Sequence, residues 1–71
     1  MEGERLMENL IEGIQRKCNE ARELLKEYEK IPMGFVGAGF IKLAIEEGEA
    51  AIASGDVVKM LSAYKALDNL K

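Results

Sequence analysis

The chain has 71 residues, a net charge of -3, no histidine and a single cysteine, Cys18. That length supports one small core, which natural domains commonly reinforce with disulfides, metals or a partner subunit, and this composition excludes an internal disulfide or a Cys/His zinc site built from one chain. The acidic balance argues against a nucleic-acid binder, whose footprint is a basic face, and no apolar run approaches the ~20 residues that span a bilayer.

Periodicity predicts an all-α fold class: a three-helix hairpin or bundle with a long first helix at about 4–30, a second at about 35–54 and a third at about 56–70. The whole chain, 1–71, reads as a single helical domain in which 1–13 is frayed or engaged in oligomerisation. In the first helix, Met7, Ile11, Ile14, Cys18, Ala21, Leu25 and Tyr28 follow a 4-3 spacing, the mark of a helix that meets another lengthwise. Leu10, Leu24 and Ile31 widen this seam on one flank, and Gly13 is placed on the exposed side. Pro32 ends the helix, because it disfavours helical backbone at Ile31 and carries no amide hydrogen.

Glycines at 34, 37 and 39 follow the proline. In the second helix Gly37, Ala38, Ile41, Ala44, Ile45, Gly48, Ala51 and Ile52 share one face, small residues suited to a close helix crossing. Val36, Phe40 and Leu43 form a second apolar strip beside it, so this helix is expected to be covered from more than one side. Gly55 suits a left-handed helix end and Asp56 an N-cap, after which Val57, Met60, Leu61, Tyr64 and Leu67 are expected to be the buried stripe of the third helix. At 1.5 Å per residue the helices measure roughly 40, 25 and 21 Å, so the first overhangs a monomeric bundle. The expected overhang is its N-terminal half, exposing Met7, Leu10, Ile11 and Ile14 to a second copy.

Candidate chemistry is sparse. Gly34, Gly37 and Gly39 form a G-x-x-G-x-G arrangement opening a helix, with Lys42 in its first turns, and helix N-termini offer free amides and positive dipole to anions. The Walker loop needs Gly-Lys-Ser or Gly-Lys-Thr and the dinucleotide fingerprint needs a preceding strand, neither of which is here. Glycines that permit a turn and a close crossing are therefore the leading reading, and an anion site of Gly34, Gly37, Gly39, Lys42 and Arg22 the alternative. Glu46, Glu47 and Glu49 read as a solvated strip, as do Arg22, Lys26 and Lys30 interleaved with Glu23, Glu27 and Glu29. Cys18, mid-helix on an apolar seam with no histidine to activate it, reads as a small buried hydrophobe. No catalytic residue, metal ligand or cofactor is assigned, and the chain is read as a non-enzyme.

The pattern Cys18-x-x-Ala21-Arg22-x-Leu24-Leu25-x-x-Tyr28-x-x-Ile31-Pro32-x-Gly34, with Gly37-Ala38 and then Ala50-Ala51-Ile52-Ala53-Ser54-Gly55-Asp56-Val57-Val58-x-Met60-Leu61-x-Ala63-Tyr64, resembles small uncharacterised helical proteins of bacteriophages and prophages. The resemblance covers residues 18–70 and implies no activity. It implies a phage accessory protein in a bacterial host cytoplasm, consistent with one thiol and no charged-then-apolar leader. Phage proteins of this size often occupy a host protein or sequester a host signalling molecule.

The expected function is thus a small phage-type helical interaction protein, binding stoichiometrically to itself and to a host protein, as an inhibitor of a host or defence factor. Its expected interface is Met7, Leu10, Ile11, Ile14, Phe35, Phe40 and Leu43. A homo-oligomer is expected, without nucleic acid or membrane. The alternatives are an oligomer that sequesters a small nucleotide-like anion and a purely structural assembly module.

Overall fold

The computed structural model describes residues 2–70; Met1 and Lys71, which the one-domain reading includes, lie outside the described residues. Three helices form an all-α bundle with no strand among the described residues: α1 (Glu2–Glu29), α2 (Phe35–Ser54) and α3 (Val57–Asp68). The molecule is a rod of 48 × 17 × 15 Å, its long dimension set by α1.

The elbow between α1 and α2 is made by short-range backbone bonds. The Ile31 amide donates to the Tyr28 carbonyl at 3.1 Å, the Gly34 amide to Ile31 at 2.9 Å and the Ala38 amide to Gly34 at 2.8 Å. A Cβ on Gly34 would overlap the Tyr28 carbonyl, so glycine is required here by close approach, its backbone being ordinary right-handed helix. The second turn is sharper. Gly55 takes the left-handed conformation at φ 70°, and the Asp56 carboxylate accepts from the amides of Val58 at 2.9 Å and Lys59 at 3.4 Å. This is the glycine stop and aspartate cap that the sequence predicts.

The core is Ile14, Cys18 and Ala21 of α1, Ile41, Ala44, Ile45 and Ala51 of α2, and Met60, Ala63 and Leu67 of α3. At its centre Gly48 lets all three helices meet. A Cβ there would stand 3.0 Å from Cys18 Sγ, 3.1 Å from Leu67 Cδ1 and 3.2 Å from Ile14 Cγ2.

Four sequence-based expectations are corrected. Ile14 is fully buried, and Met7, Leu10 and Ile11 are half-buried against the core, so the N-terminal half of α1 is not the overhang. Gly13 is not on the open side, because the Tyr64 ring lies against it. Leu61 is 54% exposed and Ala63 takes its place on the inner face of α3. Lys17, expected among the solvated charges, is buried: its ammonium donates to the Asp68 carboxylate at 2.7 Å and sits 5.7 Å from the centre of the Tyr64 ring. The aliphatic stem of lysine packs as a hydrophobe while its head finds a partner.

The Gly13–Tyr64 and Lys17–Asp68 contacts are both 51 residues apart, which sets α3 parallel to α1 with each residue beside the one 51 earlier. Leu70 thus lies level with Asn19. Beyond that point α1 and α2 continue toward the elbow as a two-helix hairpin.

The Asp68 carboxylate holds the Lys17 ammonium above its ordinary value of 10.5, outweighing the opposite effect of burial. A raised folded-state value means that this contribution to stability is complete below about pH 10.5 and is lost as pH rises through the folded value. Urea unfolding of wild type and Lys17→Met across alkaline pH is expected to show a stability gap that is constant at neutral pH and narrows above about 10.5. A second comparison tests the crossing. Gly48→Ala is expected to destabilise the protein by about 1–3 kcal/mol through overpacking, offset in part by helix propensity. Gly39→Ala, with nothing within 4 Å of the added carbon, is expected to stabilise it by up to ~1 kcal/mol in the same measurement.

Candidate functional site: the open groove at the elbow end

Helical spacing decides what the uncovered hairpin presents. On α1, Gly13, Lys17, Glu20, Leu24 and Glu27 follow a 4-3 spacing, and the first two contact α3. On α2, Val36, Phe40, Leu43, Glu47, Ala50 and Ser54 do the same, and the last three line the groove against Lys59 and Ser62 of α3. Both stripes therefore face the side that α3 occupies, and both run on past its end. What remains is a trough about three helical turns long, with Leu24 on one wall and Val36, Phe40 and Leu43 on the other, while Ile31 lines the groove on the far side of the elbow. At its α3 end lies a cavity of about 290 Å³ lined by Lys17, Glu20, Ala21, Leu24, Leu67 and Leu70. Ile31, Val36, Phe40 and Leu43 are each more than half exposed. Glu20 lines that cavity and Glu27, 3.4 Å from Lys30, follows it along α1, whereas Glu47 lies in the groove beside Lys59 of α3.

Phe35 and Phe40, expected to act as a pair, are both about two-thirds exposed but point apart, since five residues turn a helix by 500°. Phe35 belongs to the stripe Phe35, Gly39, Lys42 on the far side of α2. That stripe lines a separate open groove of about 450 Å³ with Tyr28, Lys30 and Pro32. Lys42 has no ion pair among the described residues, whereas Lys30 lies 3.4 Å from Glu27.

The anion set read from the sequence is only partly assembled. Gly39 and Lys42 share the groove beside Phe35. Gly34 is buried against the Tyr28 carbonyl, and Gly37 is covered by the Tyr28 ring, which an added Cβ would overlap. Arg22 lies well along α1, donating to Glu49 at 2.8 Å and Asn19 at 2.9 Å. Lys26 pairs with Glu23 at 3.2 Å. The Cys18 thiol is 2% exposed, pushed up by burial and, to a smaller extent, by Glu49, which removes it from the reactive class.

A second apolar surface, missed at the sequence level, lies at the opposite end of the rod: Leu6, Val58 and Leu61 are all more than half exposed. Its signal is Val58, an apolar residue outside the stripe expected to be buried, one helical step of three from Leu61, which spacing places inside it. Among the described residues no group of three or more His, Cys, Asp or Glu could hold a metal ion, and no helix is long and apolar enough to cross a membrane.

Compared with protein-family models, curated proteins and solved structures, the chain matches none.

Proposed function

We propose that this chain is a small helical interaction protein that acts by stoichiometric binding, to itself and to a host protein, with the elbow-end trough as its contact surface. The observation that carries this reading is the apolar stripe Val36, Phe40 and Leu43, left open on the side of α2 that α3 covers lower down. A contiguous apolar surface rimmed by charge is what a protein contact leaves on an isolated subunit. The buried, deactivated Cys18 thiol and the paired Arg22 and Lys17 supply no nucleophile or base, which favours binding over catalysis. The resemblance to phage proteins supports a bacterial host cytoplasm as the setting; inhibition of a host or defence factor is proposed by analogy with phage proteins of this size.

A second reading is supported by the far-side groove, where the exposed ring of Phe35 lies beside Gly39 and the unpaired Lys42. An aromatic face with a cation at the start of a helix suits a nucleotide-like anion, stacked through its base and held through its phosphate. In this reading an oligomer sequesters the ligand.

Phe40→Ser/Leu43→Ser is expected to abolish association, in sedimentation and in capture from bacterial lysate, while helicity by circular dichroism survives. Unchanged association would sink the first reading. Thermal-shift screening with nucleotides and cyclic oligonucleotides tests the second: a ligand at 100 times its dissociation constant adds about 2.7 kcal/mol of stability. The shift should vanish in Phe35→Ala/Lys42→Ala, and the absence of any shift rejects that reading.

A further inference from the structure

The trough and the Leu6, Val58, Leu61 surface lie on the same side of the rod, because α3 sits in the groove that the trough continues. They are also placed symmetrically. The centre of the trough falls near residue 25 of α1, and the centre of α3, near residue 62, lies level with residue 11 by the 51-residue offset. Each is roughly 10 Å from the midpoint of the rod, in opposite directions.

The geometry points to a two-fold antiparallel homodimer in which the outer face of α3 of each copy fills the trough of the other. This rests on the reading of the trough as a protein contact and names its occupant as a second copy of this chain.

Three features select this occupant. The first is registry: one two-fold axis through the middle of the rod brings both surfaces together at once, with the ends of the two rods aligned. The second is area. Side chains half to three-quarters exposed offer roughly 100 Å² each, so the three of the trough and the three of the other surface supply about 300 Å² apiece. An elbow-to-elbow contact would use only the first, whereas the antiparallel pairing uses both and doubles the apolar area toward the ~800 Å² per partner of a stable interface. The third is charge. The outward face of α3 carries Val58, Ser62, Lys65 and Asn69 with Lys59 beside them, and its one acid, Asp68, is bound to Lys17. That basic, partly apolar face meets a trough with Glu20 at its α3 end and the exposed Glu27, which lies 3.4 Å from Lys30, along its margin.

Cysteine cross-linking decides the arrangement. Glu27→Cys and Ser62→Cys both lie on exposed positions outside the apolar walls, and within one chain they are about 24 Å apart along the rod, too far for a disulfide. Cys18 stays in place, since its thiol is buried, and the wild type serves as the control. The expected result is a native mass of two chains, and a covalent dimer on mild oxidation of the double variant but of neither single variant. A covalent dimer from Glu27→Cys alone would establish elbow-to-elbow packing and overturn the proposal. Charge exchange gives a second readout that needs no cysteine. Lys59→Glu/Lys65→Glu should weaken the dimer roughly tenfold at low salt, and adding Glu20→Lys/Glu27→Lys to the same chain should restore it. Failure of the added lysines to restore it overturns the pairing of these faces. A strict monomer at several hundred micromolar also overturns the dimer. It leaves the trough as a site for an outside partner, a reading that fails separately if Phe40→Ser/Leu43→Ser leaves lysate capture unchanged.

Discussion

Three helices can share a core this thin only because α2 passes α1 and α3 with no side chain at Gly48. The contacts there, with Cys18 Sγ, Leu67 Cδ1 and Ile14 Cγ2 all within 3.2 Å of an imagined Cβ, leave no room for even a methyl group without rearrangement. The neighbouring core positions of α2 are correspondingly small, with alanine at 38, 44 and 51. Close approach brings the few larger side chains, Ile14, Ile41, Ile45, Met60 and Leu67, into one continuous cluster. A domain of this size has little apolar area to spend, and tight packing is how it recovers dispersion contacts that a larger core would take for granted.

Much of this was legible in the sequence wherever the cause is local. Pro32 ends α1, Gly55 takes the left-handed turn and Asp56 caps α3, each acting on neighbours within three or four residues. The inner faces of α1 and α2 follow from spacing alone. The departures all involve partners distant in the chain. Lys17 could be buried only because Asp68, 51 residues away, meets its ammonium. Gly13 is covered because Tyr64 lands on it. Leu61 is outside and Ala63 inside because the contacts of Tyr64 with Gly13 and of Asp68 with Lys17 set the rotation of α3, which periodicity does not report.

The candidate site was read less completely, for a geometric reason. Helix lengths reveal that α1 must outrun the bundle, but not at which end. That is decided by where the Ser54–Asp56 turn delivers α3, and it delivers α3 alongside the N-terminal half of α1. The uncovered surface therefore moves from Met7, Leu10, Ile11 and Ile14 to Leu24, Val36, Phe40 and Leu43. Spacing places Phe40 and Leu43 on an apolar strip too wide for one neighbour, and both are more than half exposed. The turn of the helix assigns Phe35 to a different groove, with Lys42.

The short α3 also divides the molecule energetically. Backbone hydrogen bonds near Gly48 are shielded by three helices, while those between Leu24 and Leu43 have only a two-helix hairpin above them. Amide exchange in the hairpin half is therefore expected to run through local openings that leave the Gly48 half closed. An occupant of the trough would add its protection to the weaker half alone, evening out the stability of the rod from end to end.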